Sequence, residues 1–96
     1  MARKDFLDEM IAERTKANPR FPEVLDAAMR RRKLLEALAA EREAKGLSQT
    51  MVAARMQTSQ SAVARIEKAE IDVKLSTIER YAAAVGKQVR WELVDG

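Results

Sequence analysis

The side chains best suited to chemistry in this sequence are short polar groups and an arginine near its middle. Ser59, Gln60, Ser61 and Arg65 follow a break at Gln57-Thr58-Ser59. Their hydroxyl, amide and guanidinium groups can exchange hydrogen bonds with base edges and phosphates, and glutamine and arginine can make paired hydrogen bonds with adenine and guanine. Binding of duplex DNA is therefore the leading functional hypothesis.

Two short helices joined by a tight turn would position these groups. Val52, Ala53 and Met56 have the spacing of one buried helical face. Val63 and Ile66 continue that face after the break. A small residue suits the point where the helices cross, because a larger side chain there would push them apart. The pattern is that of a helix-turn-helix, although an ordinary helical hairpin within a bundle has the same pattern.

Composition excludes several classes of site. The 96-residue chain contains no cysteine and no histidine, so disulfides, thiolate catalysis and the usual zinc ligand sets are excluded. Carboxylates do not cluster on one face near the basic residues, which argues against a magnesium-dependent nuclease. We therefore expect no enzyme activity, no metal and no small-molecule cofactor. The net charge of +3 is compatible with nucleic-acid binding but too small to demand it.

No stretch of the sequence resembles a membrane span or a secretory signal. Charged residues interrupt every apolar run well short of the ~18 residues that a span requires. We therefore expect no membrane association and a cytoplasmic location of the bacterial type.

A long helical segment precedes the pair. Every residue from Pro22 to Lys45 is compatible with helix, and proline fits a first turn because no helical bond needs its missing N–H there. The sequence leaves open whether this segment is one helix or two helices bent near Arg30. Gly46 is expected to end the segment in the left-handed cap conformation, and Ser48 to cap the helix that follows.

A further helix is predicted after the pair. Ser76 and Glu79 have the spacing of a capping box, which predicts a helix that runs to Val85 and is closed by Gly86.

The last predicted element is a strand. Val89, Trp91 and Leu93 alternate with polar residues, the period of a half-buried strand. A lone strand is unstable, so its expected partner is the same strand of a second copy in a homodimer. Trp91 could instead stack on a base, but its place in the alternating pattern favours the core or the dimer interface.

A short amphipathic helix is predicted at the N-terminus, from about Lys4 to Lys16. Two prolines follow it, so it ends before the long helix begins. Its apolar stripe consists of Phe6, Leu7, Met10 and Ile11.

The residues of the predicted helix pair resemble a known family. Gly46-Leu-Ser-Gln49, followed by Ala53, Ser59-Gln-Ser61 and Arg65-Ile-Glu67, is similar to the Cro/C1-type (XRE) helix-turn-helix family of bacterial and phage repressors. The similarity covers roughly Leu34 to Gly86. It implies an all-α, five-helix Cro/C1-type domain that places the second helix of the motif in the major groove. Here the domain would carry an extra N-terminal helix and a short C-terminal β-strand that pairs across a dimer.

The resemblance, with the mechanism it implies, assigns roles to individual residues. Two positions depart from the family pattern, because Gln57 and Ala69 stand where glycine is usual, so we expect a strained or slightly altered turn at Gln57. The expected base contacts are Gln60, Ser61 and Arg65, the expected DNA backbone contacts are Gln49, Ser59 and Lys68, and the expected structural ion pair is Arg42 with Glu67.

The end of the chain resembles a narrower group. Ala84-Val-Gly-Lys-Gln-Val-Arg-Trp-Glu-Leu93 is similar to the corresponding segment of HigA-type antitoxins of type II toxin–antitoxin systems. The resemblance implies that residues 22–96 form a DNA-binding and dimerisation domain that binds an inverted-repeat operator and represses its own operon. Residues 1–21 would then neutralise a cognate toxin, a RelE/HigB-like mRNA endonuclease.

The N-terminal stripe would suit such a toxin, because acidic residues lie among its apolar members and the toxin is expected to be basic. The same helix could equally fold back on its own domain or on the twofold mate. The alternative function is a free-standing Cro/C1-type transcriptional regulator without a toxin partner.

Overall fold

The computed structural model describes residues 11–12, 14–17 and 19–95. Residues 11–12 and 14–17 are helical, and no strand occurs among the described residues. The expected all-α architecture is therefore confirmed for them. Of the N-terminal stripe, Phe6, Leu7 and Met10 lie outside the described residues. The helices that follow are α1 (Phe21–Ala44), α2 (Gln49–Met56), α3 (Gln60–Glu67) and α4 (Leu75–Ala84).

The chain divides into two compact units, Met1–Arg31 and Arg32–Gly96. In the described part of the first unit, Asp26 and Arg30 form an exposed ion pair one helical turn apart. Such a pair stabilises a helix only slightly, because water screens both charges. The second unit contains the predicted helix pair and is described in the rest of this section.

Helix α1 is continuous from Phe21 to Ala44, so the segment before the pair is one helix and not two. Pro22 lies in its first turn, where the missing N–H breaks no helical bond. Gly46 follows the helix with a φ of 68°, and its N–H donates to the carbonyl of Glu43 at 3.0 Å. The predicted glycine end of this helix is confirmed.

The core of the second unit contains side chains from all four helices. Helix α2 packs against both α3 and α4. The apolar face predicted for the helix pair is confirmed, because Val52 and Val63 are 0 % exposed and Ala53 is 3 % exposed. The other members of the core are Leu35, Leu38, Met56, Ile66, Val73, Ile78, Tyr81, Ala82, Ala84 and Val85.

Serine caps fix the starts of α2 and α3. The N–H of Met51 donates to Oγ of Ser48 at 3.0 Å, which confirms the cap predicted for Ser48. The N–H of Ala62 donates to Oγ of Ser59 at 3.1 Å. Each bond satisfies a backbone donor that the first helical turn leaves without a partner.

The capping box predicted at Ser76 and Glu79 is wrong. Helix α4 begins at Leu75, and its N-cap residue is Lys74, which is extended (φ −65°, ψ 147°) and makes no side-chain cap bond. Val73 is buried and anchors the segment before the helix. The backbone becomes helical directly after Lys74, so Ser76 falls inside the first turn.

Residues 87–95 contain no regular secondary structure. Val89 is half-buried against the core, whereas Trp91 is 45 % exposed and Leu93 is 103 % exposed. The hydrogen bonds of a strand come from a neighbouring strand. The pairing of this segment across a dimer therefore stays a prediction.

Candidate nucleic-acid interface

Helix α3 carries its polar and apolar side chains on opposite faces. Val63 and Ile66 are buried in the core, whereas Gln60, Ser61 and Arg65 are exposed. The exposed face thus presents an amide, a hydroxyl and a guanidinium group, which are the groups that read base edges in a major groove. The buried face keeps this eight-residue helix fixed to the domain.

Two serines lie together at the N-terminal end of α3. The Oγ atoms of Ser59 and Ser61 are 3.1 Å apart. Ser59 also accepts the cap bond from Ala62. Because a hydroxyl has one proton and two lone pairs, Ser59 can keep its cap bond while donating to a phosphate.

Gln60 is connected to α2 by a hydrogen bond between two amides. Nε2 of Gln60 donates to Oε1 of Gln49 at 2.6 Å. Nε2 of Gln49 in turn donates to Oε1 of Glu67 at 2.9 Å. The exposed amide at the start of α3 is therefore held by a side chain of α2, which is held by the last residue of α3.

Glu67 is the centre of this network. Arg42 donates to Oε2 of Glu67 from Nε at 2.6 Å and to Oε1 from Nη2 at 3.1 Å. Nη1 of Arg42 donates to the carbonyl of Leu47 at 2.8 Å. The side chains of Arg42 and Glu67 are only 11 % and 9 % exposed. The structure thus brings together the two residues of the expected ion pair, and it does so in a largely dry setting.

The hydroxyl of Tyr81, on α4, also donates to Oε2 of Glu67. Burial by itself raises the pKa of Glu67, but the hydrogen bonds from Arg42, Tyr81 and Gln49 outweigh it, so the pKa lies below its ordinary value. Burial, and then the bond to Glu67, raise the pKa of Tyr81. The bond to Glu67 likewise raises the pKa of Arg42. The carboxylate is consequently ionised at neutral pH, and its neighbours keep their protons.

The link between Gln49 and Gln60 and the role of Tyr81 were not found from the sequence. Tyr81 is 0 % exposed. The available signal was its hydroxyl, because a buried tyrosine usually places that group on a hydrogen-bond partner. The sequence does not specify which partner that is, since Glu67 lies on a different helix.

A residue with positive φ follows each helix of the pair. Gln57 ends α2 with a φ of 57°, so of the two expected alternatives the turn has the strained one. Ala69, just after α3, has a φ of 52°. At each site an N–H bonds back across the end of the helix, from Thr58 to Ala53 at 2.9 Å and from Glu70 to Arg65 at 3.3 Å. These are glycine-type helix ends made without glycine, which costs conformational energy.

Basic side chains lie beside the exposed face of α3. Arg65 and Lys74 line one open groove of about 360 Å³ between α3 and the start of α4. Lys68, the residue that ends α3, is exposed. The placement of these cations would allow contacts with phosphates on either side of a groove.

One further expected residue, Ile11, belongs to the first unit of the chain. Ile11 is helical and half-buried, and it is the described member of the N-terminal stripe. In the part of the chain that the structure describes, no group of three or more acidic side chains could hold a metal ion. Within the same residues, none of the helices combines the length and the apolar character needed to cross a membrane.

Comparison with known proteins agrees with this geometry. The family described as Helix-turn-helix matches residues 38–91. Antitoxin HigA1 from two strains of Mycobacterium tuberculosis is 43% identical to the chain over 86 residues, which is 90% of this chain and 58% of the relative. The chain thus spans little more than half the length of the curated relatives it matches. No solved structure gives a significant match. On the family match and the helix pair together, this chain belongs to the helix-turn-helix family of the Cro/C1 type.

Proposed function

We propose that this protein is a sequence-specific DNA-binding antitoxin that represses its own operon as a homodimer. The observation that carries the proposal is the exposed polar face of α3, with Gln60, Ser61 and Arg65 outside and an apolar face fixed in the core. A helix of this kind is the part of a helix-turn-helix that enters the major groove. Membership of the family supports the same use.

The base contacts are assigned to Gln60, Ser61 and Arg65, all of which are exposed on α3 or at its start. Gln49, Ser59 and Lys68 would contact the DNA backbone and set the position of the helix. For Gln49 this leaves one amide N–H for a phosphate, since its other N–H and its carbonyl are already bonded to Glu67 and Gln60.

Dimerisation would place two such helices on successive segments of an inverted repeat, about 34 Å apart. We assign the dimer contact to the segment with Val89, Trp91 and Leu93, where Leu93 is 103 % exposed and Trp91 is 45 % exposed. Covering these apolar groups with a second copy would lower the free energy and so stabilise the dimer.

A binding-site selection with the purified full chain and a random duplex library tests DNA recognition. The expected result is an inverted repeat whose half-site spacing corresponds to one helical turn. Arg65→Ala should then cost about 1–3 kcal/mol on the selected site and relax one base position, whereas Lys68→Ala should weaken binding to all sequences and reduce the salt slope by about one. Arg32→Ala is a matched control, because Arg32 is an exposed arginine of α1 outside the interface. Absence of any enriched sequence would contradict the proposal.

The antitoxin role is supported by the 43% identity to Antitoxin HigA1 over 90% of this chain. We assign toxin binding to residues 1–21, with Phe6, Leu7, Met10 and Ile11 as the apolar contacts and residues 22–96 as the DNA-binding part. The partner would be a RelE/HigB-like mRNA endonuclease. The acidic residues Asp8, Glu9 and Glu13 beside the apolar stripe would complement such a basic protein.

Purification of the full chain from its host, with and without residues 1–21, tests this assignment. A small basic protein should copurify with the full chain and be lost with the truncated one. In a translation extract arrested by that protein, added full chain should restore synthesis and the truncated chain should not. If no such protein is recovered and DNA binding is intact, the chain is a free-standing regulator.

A further inference from the structure

We propose that two copies of the chain pair through residues 87–95 in one antiparallel register centred on Trp91, so that Leu93 of each copy covers a groove beside α1 of the other. This inference rests on the proposed homodimer and deepens it, because it states which residue of one copy meets which residue of the other. The groove, the exposed side chains next to it and the order of charges along the segment support this arrangement.

A groove of about 390 Å³ lies between α1 and the start of the C-terminal segment. Its lining on α1 includes Leu34, Ala37 and Leu38, which are three or four residues apart and therefore lie on one side of the helix. Val89 and Arg90 belong to the lining from the C-terminal segment. The groove is thus largely apolar where it meets the helix.

Two apolar side chains lie next to this groove along the chain but not in it. Leu93 is 103 % exposed, Trp91 is 45 % exposed, and neither lines the groove. Residues two positions apart have Cα atoms at most about 7 Å from each other, so Trp91 lies that close to Val89, which does line it. One surface therefore has both an apolar groove and exposed apolar side chains. A twofold contact needs such a surface, because the same patch of both copies must fit itself.

The charges of the segment are ordered so that it complements itself when reversed. Lys87 and Arg90 precede Trp91, whereas Glu92 and Asp95 follow it. With Trp91 on the twofold axis of an antiparallel pair, Arg90 lies opposite the partner's Glu92. Lys87 then lies opposite the partner's Asp95. Opposite charges in these positions stabilise the pairing of two strands.

The same register brings an apolar side chain to the groove. It places the partner's Leu93 opposite Val89, which packs against the core. Side chains directly opposite each other in an antiparallel pair are about 5 Å apart at their β-carbons, so the partner's Leu93 reaches the groove beside Leu34 and Leu38. Because side chains alternate between the two faces of a strand, Val89, Trp91 and Leu93 share one face, and both copies turn it toward α1.

Neighbouring registers lack this match. Moving the axis to Arg90 or to Glu92 places two like charges opposite each other on the axis. A shift of the pairing by a single residue places Trp91 opposite a charged side chain and mixes the apolar with the polar face. Of these registers, the one centred on Trp91 matches the charges and the apolar residues together.

Charge reversal tests the register. Arg90→Glu and Glu92→Arg each turn two opposite-charge pairs of the dimer into like-charge pairs, so each should raise the dissociation constant about tenfold. Sedimentation equilibrium of the full chain measures this constant. An equal mixture of the two variants should form a heterodimer about as tightly as the wild type, because all facing charges are opposite again. Arg80→Glu mixed with Glu92→Arg is the matched control, with the same net charges but with Arg80 on α4. The control mixture should stay weaker.

A pair of alanine variants tests the groove. Ala37 and Ala40 are both exposed on α1, but Ala37 lines the groove and Ala40 does not. Glutamate is a good helix former, so both Ala37→Glu and Ala40→Glu should fold. Ala37→Glu should weaken the dimer about tenfold, because the new carboxylate loses water against the partner's Leu93. Ala40→Glu should dimerise like the wild type.

The fluorescence of Trp91 reports the axis directly, because the chain contains one tryptophan. Its emission should move to shorter wavelength as the wild-type chain dimerises, since the two copies cover each other's indole. Emission that stays unchanged while the dimer forms would place the axis elsewhere and overturn the register.

The outcomes separate this inference from the proposed function. If both charge-reversal variants dimerise as tightly as the wild type, the register is refuted and the proposed homodimer stands through another contact. If Ala37→Glu and Ala40→Glu dimerise equally well, the groove is not part of the interface and the inference fails in that respect. A wild-type chain that stays monomeric at every concentration would refute both the register and the proposed homodimer, while binding of DNA by the monomer would be tested separately by the sequence selection.

Discussion

The helix-turn-helix, residues 48–67, and the C-terminal segment, residues 87–95, have apolar side chains in opposite situations. In the first, Val52 and Val63 are completely buried and the central carboxylate has four hydrogen bonds from three side chains. In the second, Leu93 is 103 % exposed and Trp91 is 45 % exposed. The first region is thus buried by contacts within the chain, whereas the second leaves apolar surface exposed among the residues that the structure describes.

The largest expected effect comes from removing a member of the hydrogen-bond network around Glu67. Arg42→Ala should destabilise the domain by about 3 kcal/mol, because it leaves the mostly buried carboxylate of Glu67 without its cation. Urea unfolding measures this. Arg32→Ala is the control on the same helix. The pair of Arg32 with Glu36 spans 3.4 Å, but both side chains are more than 60 % exposed, so its loss should change stability by less than about 0.5 kcal/mol. Equal losses for the two variants would contradict the contrast between a buried and a screened pair.

Substitutions in the C-terminal segment should affect dimerisation more than the stability of the domain. Replacing Trp91 and Leu93 together by alanine should destabilise the domain much less than Arg42→Ala does, since Leu93 is 103 % exposed and Trp91 is 45 % exposed. If the segment forms the dimer interface, the same change should weaken dimerisation by about 2 kcal/mol or more. Sedimentation equilibrium over a concentration series measures the dissociation constant. An unchanged dimer would move the interface elsewhere, and a large loss of domain stability would mean that the segment belongs to the core.

This difference also explains how far the sequence could be read. Positions such as Val52, Val63, Ser48 and Gly46 were predicted correctly because helical spacing and cap chemistry are local signals. The start of α4 was missed because Lys74, which makes no side-chain cap bond, is its N-cap residue, so the local cap signal at Ser76 pointed to the wrong position. The bonds that converge on Glu67 join residues from four helices, and no local pattern encodes them.

The stability of the helix-turn-helix should also depend on pH through Glu67. The pKa of Glu67 is lowered in the folded protein, so the stabilisation it provides is fully present above its unfolded value, about 4.5, and is lost as the pH falls through the folded value. Thermal unfolding between pH 7 and pH 2 should therefore show a steeper acid loss for the wild type than for Glu67→Gln. The double alanine variant of Trp91 and Leu93 should keep the wild-type slope. Parallel curves for wild type and Glu67→Gln would exclude Glu67 as a source of the acid loss.

The smallest expected effect comes from relieving the conformational strain at Ala69, just after α3. Ala69 has a φ of 52°, a region in which an L-residue with a β-carbon loses roughly 1–2 kcal/mol. Ala69→Gly removes that strain but adds freedom to the unfolded chain, so the net gain should be about 0.5 kcal/mol. Ala54→Gly is the matched control, because Ala54 is an exposed residue inside α2 and glycine there should cost about 1 kcal/mol. Opposite signs for the same substitution would show that the backbone at Ala69, and not a side-chain contact, limits stability at the end of α3. Destabilisation in both variants would instead mean that the methyl group of Ala69, which packs against the core, contributes more than the strain costs.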